Sequence, residues 1–537
     1  MKSIKYIFIS TVFAVLLLTA STSCSDLLDL SPIDHYGSES YWKSEAHATG
    51  YIDGIHKHLR DAAWQHTIIF GELRGGHYIS GVSGDGSSVF YGSIIQQNFD
   101  ENNTGVSKFG DLYGRITNCN LFIERVTDAD YMPEEKRNYY LGMVYGLRAF
   151  YYFDLYKVYG GVPLRLGVEV IDGELDPTKL YLPRAKASEV VDQIKKDLNQ
   201  SLEYFGNNND FDPYNMGKKV YWNKAATEAL AADVYLWNSK VSTGDNQANI
   251  ADLQVAKKHL LNLVNNYGLQ LESDFSKIHD VSNKANDEII FAIRYLEGEA
   301  QNSLNNYLYD PYVGGTKGNA YLEDGSLFED PLGIATSRAQ QRAEYVKDLF
   351  LSFDKKDSRR NATFLPSYDK DEDGNLSLRG TFVKKNIGEI NSNGIRVFTG
   401  DFVIYRLPWV YLSLAEIANM EGDNQNVEKY INLVRERAYG ENWGAEFEFT
   451  AGDFTTNELA ILHEKDKEFV QEGQRWWDLN RMTLTKGGKR LVFTAEGSID
   501  GNPILNEATE AHKVLWPLDK GLLDNDDALE QTPGYED

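Results

Sequence analysis

The chain has 537 residues, with 80 Asp plus Glu against 54 Lys plus Arg, a formal net charge of −26, and is 42% hydrophobic and 12% aromatic. So acidic a surface disfavours nucleic acid and anionic lipid as partners and leaves neutral ligands open. The cysteines are Cys24 and Cys119, too few for a disulfide framework or a thiolate metal site.

Lys2 and Lys5 precede an apolar run at 6–20, and small residues lead up to Cys24. This is the pattern of a secretory leader, and the run is shorter than the roughly 20 apolar residues a membrane span needs. Ser21-Thr22-Ser23-Cys24 resembles a bacterial lipobox without the usual leucine three residues before the cysteine. Residues 1–23 are therefore expected to be removed and Cys24 to be acylated. Each buried CH₂ of an acyl chain contributes roughly 0.8 kcal/mol, so several chains anchor stably. Loss of Lys2 and Lys5 with the leader takes the net charge from −26 to −28.

Helical periodicity then dominates. It predicts helices over 45–64, 109–127 and 134–159, with a glycine-rich loop at 71–92 between the first two. Gly160-Gly161-Val162-Pro163 stops the third. Cys119 falls on an apolar helical face, where a free thiol acts as a small hydrophobe. Further helices are predicted over 187–205, 222–238 and 250–267, the second with Ala225, Ala229 and Ala232 along one side. The pattern returns at 408–420 and 427–438 around a Gly-Asp-Asn turn. Recurrent helix pairs with small contact residues resemble tetratricopeptide hairpins, so the expected fold is all-α on a helix-pair scaffold. Residues 271–405 interrupt the pattern with Gly, Asn, Asp and Tyr-rich loops and a β-like piece at 288–295. The expected division is 24–270, 271–405 and 406–537.

Three groups of residues carry chemical interest. Glu472, Arg475, Asp478 and Arg481 alternate in sign at i+3 spacing, which suits a structural ion-pair lattice better than acid–base work. Asp369, Asp371, Asp373 and Gly374 match the first half of a calcium loop, but Gly380 stands where the bidentate glutamate belongs. No histidine pair has metal-ligand spacing, and neither a phosphate loop nor a nucleophile elbow is present. No catalytic residue and no cofactor beyond that partial calcium loop is expected. The third group is aromatic. Tyr78, Phe90 and Tyr91 lie near Arg74, Asp85 and Asn98, while Tyr295, Tyr307, Tyr309, Tyr312 and Tyr321 are interleaved with Asn302, Asn305 and Asn306. Rings beside amides and guanidinium groups suit a sugar, whose C–H face stacks while its hydroxyls take polar partners. These two clusters are the expected ligand contacts.

An ordered set of segments resembles the SusD/RagB family of outer-membrane nutrient-binding lipoproteins. It runs from Cys24-Ser-Asp-Leu-Leu-Asp through RITNCN (115–120), LRAFYYFDLYKVYGGVPL (147–164), KKVYWNKAATEALAADVYLW (218–237) and DEIIFAIRY (287–295). It continues with YRLPWVYLSLAEIANMEG (405–422), INLVRERAY (431–439), EFVQEGQRWWDLNRM (468–482) and VLWPLD (514–519). Lys465 departs from the arginine usual there. The resemblance implies four tetratricopeptide-like helix pairs carrying a loop-rich binding region. It also implies a non-catalytic lipoprotein on the outer face of the outer membrane, held by Cys24. Such a protein captures oligosaccharides, or in some branches peptides, and serves as a lid on a SusC-like TonB-dependent transporter. The family's ligand contacts do not follow a motif, so the resemblance assigns no binding residue.

Overall fold

The computed structural model describes residues 41–61, 63–82, 87–168, 180–310, 316–337 and 339–535. Cys24, Asp85 and Tyr312 lie outside them, and with them the expected leader and anchor. Helix accounts for 48% and strand for 10%, which makes the fold all-α with small sheets. The helices of the scaffold are α1 (Glu45–Arg60), α2 (Phe109–Val126), α3 (Glu134–Tyr159), α4 (Ala187–Phe205), α5 (Lys224–Lys240), α6 (Asp252–Asn266), α7 (Leu407–Glu421), α8 (Asn424–Tyr439), α9 (Phe454–Glu468) and the short α10 (Arg475–Arg481). They pack as pairs, α1 on α2, α3 on α4, α5 on α6 and α7 on α8, with α4 against α5 and α6 against α7 joining the pairs. This is the expected tetratricopeptide-like scaffold.

Local chemistry explains the pairs. α3 is apolar nearly all round, so it is buried on most sides, and it ends at Gly160 with φ 77°. Arg148 on α3 grips Asp197 on α4 with two bonds of 2.6 and 2.8 Å and reaches Asn120 on α2 at 2.9 Å, fixing three helices at one point. Asn223 caps α5 by accepting from the Ala226 N–H at 2.9 Å. Between α7 and α8, Gly422 takes the left-handed conformation and Asp423 caps the next helix through the Asn426 N–H at 3.1 Å.

Four two-stranded antiparallel sheets interrupt the helices among the described residues. They pair β1 (Tyr78–Ser80) with β3 (Ala343–Tyr345), β2 (Ile289–Ile293) with β8 (Phe402–Arg406), β4 (Phe364–Lys370) with β5 (Leu376–Val383), and β6 (Glu389–Ile390) with β7 (Arg396–Val397). The β-like piece at 288–295 is β2. The loop expected at 71–92 instead holds a π-helical turn (Ile69–Leu73), β1 and the start of a helix (Ser87–Ile95). The hydroxyl of Ser80 packs where a Cβ on Gly92 of that helix would sit, 2.4 Å away.

The charged segment at 464–482 is not one helix. α9 stops at Glu468, and Gln471 (φ 62°) and Gly473 (φ 71°) turn the chain into α10. Glu472 therefore sits in the turn, off the helix face that carries Arg475, Asp478 and Arg481. Buried Glu72 holds this turn by accepting from the Gln471 and Gly473 N–H groups at 2.9 and 2.8 Å. The lattice reading itself holds. Arg481 pairs with Glu416 and Asp478 at 2.9 and 2.7 Å, Lys465 with Asp478 at 2.8 Å, and Arg475 with Asp466 at 2.5 Å. Glu472 belongs to a second cluster, where Arg406 bonds it at 2.8 Å and reaches Glu288 and Glu468 at 2.9 and 2.5 Å. Arg437 and Arg359 complete that cluster with Glu288, Glu464, Glu468 and Asp357.

Candidate ligand-binding cleft

Most of the aromatic residues expected to meet a ligand lie in the core. Tyr78, Tyr91 and Tyr307 do come together from the two expected clusters, with ring centroids 6.0 Å apart for Tyr78–Tyr307 and 6.2 Å for Tyr91–Tyr307. All three are buried, however. The Tyr78 hydroxyl donates to Tyr345 at 2.5 Å, and the Tyr345 hydroxyl donates to Glu72 at 2.5 Å, so internal partners satisfy Tyr78 and Tyr345. Tyr309, also buried, donates to Asp330 at 2.5 Å and packs edge-on against Phe328 and Phe382. Tyr295 is buried beside Asp401, which accepts its N–H at 2.9 Å. Arg74 is a core residue as well, with its guanidinium 3.7 Å from the Trp476 ring and donating to Gln97 at 2.8 Å. Phe90 and Tyr321 are half-buried and Asn98 is exposed. Asn302 is buried and bonds the carbonyls of Asn386 and Gly400.

The calcium candidate is a hairpin turn. Asp371 accepts from the Asn375 N–H at 2.7 Å and its side-chain amide at 3.0 Å, while Asp369 faces Arg379 at 3.4 Å. The three aspartates are therefore not gathered around a common point. Among the described residues no group of three His, Cys, Asp or Glu could hold a metal ion.

A different constellation has the form of a binding site. A cleft of about 400 Å³ opens between α1, the segment Val220–Tyr221 and the end of β2. α1 supplies Asp53, His56, Lys57 and Arg60, which at spacings of 3, 4 and 7 share one helix face. The opposite face of α1 buries Ala48, Ile52, Ile55 and Leu59. The facing wall is pinned to β2, because the Ala292 N–H donates to the Lys219 carbonyl at 2.9 Å. Lys219 itself takes φ 64°, which turns the chain so that Tyr221 meets α1. Arg294 and Glu299 close the end.

The groups in the cleft hold one another in place. The Tyr221 hydroxyl donates to Asp53 at 2.7 Å, and its ring lies 4.5 Å from the His56 ring. Arg60 donates to Glu299 at 2.9 Å, and Arg294 also pairs with Glu299. The Trp222 N–H donates to His56 Nε2 at 2.9 Å, so Nε2 is unprotonated and Nδ1–H donates to the Ile52 carbonyl at 2.8 Å. Burial lowers the His56 pKa to about 4, so the ring is neutral near pH 7. Burial, with Asp53 beside it, raises the Tyr221 phenol well above its ordinary value, so it stays a donor. The hydrogen bond from Arg60 helps lower the Glu299 carboxyl. The cleft thus presents an aromatic ring, two carboxylates and two guanidinium groups in fixed positions. That combination stacks on an apolar ring face and both accepts from and donates to hydroxyls. His56 and Tyr221, whose pKa values are shifted, are both committed to internal partners, His56 to Ile52 and Trp222 and Tyr221 to Asp53.

Comparison with known proteins agrees with this architecture. A SusD superfamily protein from Bacteroides fragilis has a crystal structure 62% identical to this chain, with a TM-score of 0.87 over 92% of this chain and all of the other. The chain belongs to the SusD family. A profile of the SusD family matches residues 287–535, and one described as "Starch-binding associating with outer membrane" matches residues 77–236. Another SusD-fold relative, B. fragilis NanU, is 30% identical with a TM-score of 0.79 over 95% of this chain and all of its own. SusD-like protein P38 of Formosa agariphila is 24% identical over 99% of this chain and all of its own. SusD family members are carbohydrate-binding proteins rather than enzymes. Among the described residues no helix is long and apolar enough to cross a membrane.

The sequence reading missed the cleft, although one signal was available. The polar stripe Asp53, His56, Lys57, Arg60 follows the helical period as regularly as the apolar stripe behind it. Its facing wall comes from residues 160 or more positions away and left no local pattern.

Proposed function

We propose that this SusD family member is a non-catalytic cell-surface lipoprotein that captures oligosaccharides in the α1–Tyr221 cleft. It passes them to a SusC-like TonB-dependent transporter in the outer membrane, to which it is tethered through acylated Cys24. The observation that carries this reading is the cleft, where Tyr221 offers a ring and Asp53, Arg60, Arg294 and Glu299 offer fixed hydrogen-bonding groups. Family membership supports a glycan as the ligand, and one fold relative is named as a laminarin binding SusD-like protein. Of the residues in the aromatic reading, Phe90, Asn98 and Tyr321 reach the surface, and none of them lines this cleft. Ile79, Val82 and Val89 are exposed apolar side chains close together in sequence, the kind of surface that serves contact with a partner protein.

Retention of the purified protein in gels containing plant, microbial and host polysaccharides tests the capture role. One polysaccharide class is expected to retard it. Tyr221→Ala should abolish the retardation and Tyr221→Phe should keep part of it, since the ring remains and only the hydroxyl bond to Asp53 is lost. Retardation that survives Tyr221→Ala in a folded protein places the ligand elsewhere and overturns the cleft assignment.

A further inference from the structure

A second pocket, of about 280 Å³, lies between the segments 275–281 and 384–389. Phe275, Val281 and Ile387 form its apolar wall, and His279, Lys384 and Asn386 its polar one. Asn386 is 2% exposed, and neither its side-chain nitrogen nor its oxygen has a hydrogen-bond partner. Neither ring nitrogen of His279 has one either, and its Nε2 stops 3.7 Å from Glu472. Unpaired buried polar groups are rare in native proteins, and each costs about 1–3 kcal/mol. Here two of them line one opening.

Two of the other charges around the pocket, Asp280 and Lys385, are committed. Asp280 pairs with Lys277 at 3.0 Å and accepts from the Ser282 N–H at 2.9 Å. Lys385 is held by Glu472 and by the Glu468 carbonyl at 3.2 Å. Glu389 is exposed at the rim. Lys384 differs from these, because no carboxylate lies within ion-pair distance of its half-buried ammonium among the described residues. Burial alone lowers its pKa. In so acidic a chain, a half-buried cation without a counter-ion points to an anionic ligand.

We propose that this pocket is a second ligand site, which takes a single carboxylated sugar ring. Lys384 receives the carboxylate, and Asn386 and His279 receive hydroxyls. A neutral imidazole and an amide each both donate and accept, as a sugar hydroxyl does. Burial, with Lys385 nearby, lowers the His279 pKa to about 4, which keeps that ring neutral. The volume is just under the roughly 300 Å³ at which sites for drug-sized ligands begin, so it admits one ring and not a chain. No residue is shared with the α1–Tyr221 cleft, so the two assignments stand or fall separately.

Calorimetry on the purified protein with D-glucuronate as the probe and D-glucose as the control tests the proposal. Glucuronate is expected to bind saturably and glucose at least tenfold more weakly. Lys384→Met should weaken glucuronate at least tenfold with an unchanged melting temperature. Asn386→Gly should weaken it too, because glycine accepts the φ of 63° at that position and removes only the amide. Tyr221→Ala should leave glucuronate binding intact. Absence of saturable heat, equal binding of glucose, or binding unaffected by Lys384→Met would each overturn the proposal. Loss of glucuronate binding in Tyr221→Ala would move the sugar to the cleft and overturn it as well.

Discussion

Replacing Arg406 by methionine tests whether the second ion cluster holds the scaffold together. Arg406 is 1% exposed. Its Nε bonds Glu472 at 2.9 Å, its Nη1 bonds Glu288 at 2.9 Å and Glu468 at 2.5 Å, and its Nη2 bonds the Glu468 carbonyl at 2.7 Å. Arg359, Arg437 and Lys385 are then left against Glu288, Glu464, Glu468, Glu472 and Asp357, all of them buried at side-chain level. Removing one partner of a buried pair typically costs about 3–5 kcal/mol, because the remaining charge stays desolvated. Arg406→Met should therefore lose about that much in urea unfolding followed by tryptophan fluorescence and far-ultraviolet circular dichroism together. Arg406→Lys should lose less, since it keeps the charge but not the forked geometry. Adding Glu472→Gln to Arg406→Met removes a carboxylate that has lost its guanidinium partner and keeps only Lys385, so the double variant should recover about 1 kcal/mol or more through coupling. A loss below about 1 kcal/mol for Arg406→Met, or no coupling with Glu472→Gln, would refute the argument that charge pairing and not packing is at stake.

Acid should destabilise the protein through its buried neutral histidines. The folded pKa of His56 and of His279 is about 4, below the roughly 6.5 of an unfolded histidine. The stability each contributes is thus complete above pH 6.5 and is lost as pH falls towards 4. The melting temperature should fall between pH 7.5 and 5.0, and less steeply in His56→Gln, which cannot charge; equal slopes would refute the assignment. Gly146→Ala should reverse a usual sign. Alanine stabilises an ordinary helix interior by roughly 0.5–1 kcal/mol over glycine, but here its Cβ would sit 2.1 Å from Nε1 of buried Trp222. A loss of about 1–3 kcal/mol is expected from overpacking, and a higher urea midpoint would contradict it.

What was legible in the sequence follows from the range of the forces involved. Helices 134–159 and 187–205 appear where periodicity placed them, because glycine and proline stops and an apolar stripe are local signals. α9 was missed because its buried side includes Asn457, Glu458, Glu464, Lys465 and Glu468. A polar residue buried by an ion pair looks, in sequence, like one facing water. The same ambiguity misled the reading of the tyrosines. A phenol in a loop suits a ligand or a distant internal acceptor equally well, and Tyr78 and Tyr309 found Tyr345 and Asp330.

This ambiguity also separates the scaffold from its sites. The two ion clusters join α7, α9, α10 and β8 through charges that satisfy one another, so they leave nothing for a ligand to complete. The glucuronate pocket borders the Arg406 cluster at His279 and Lys385 but differs from it in having polar groups without partners. The α1–Tyr221 cleft lies between these cases, since Asp53, Arg294 and Glu299 are paired yet open to solvent, with Arg294 39% and Glu299 36% exposed at the side chain. An exposed pair contributes little to stability. A ligand hydroxyl can therefore replace a partner there at small cost, whereas in the cluster around Arg406 the same exchange would strand a charge. Substitutions at Asp53, Arg294 or Glu299 should accordingly change binding while leaving unfolding nearly untouched, and those at Arg406, Arg437 or Glu468 should act chiefly on stability. An Arg294→Ala or Glu299→Ala protein that unfolds as readily as Arg406→Met would show that the cleft is scaffold too.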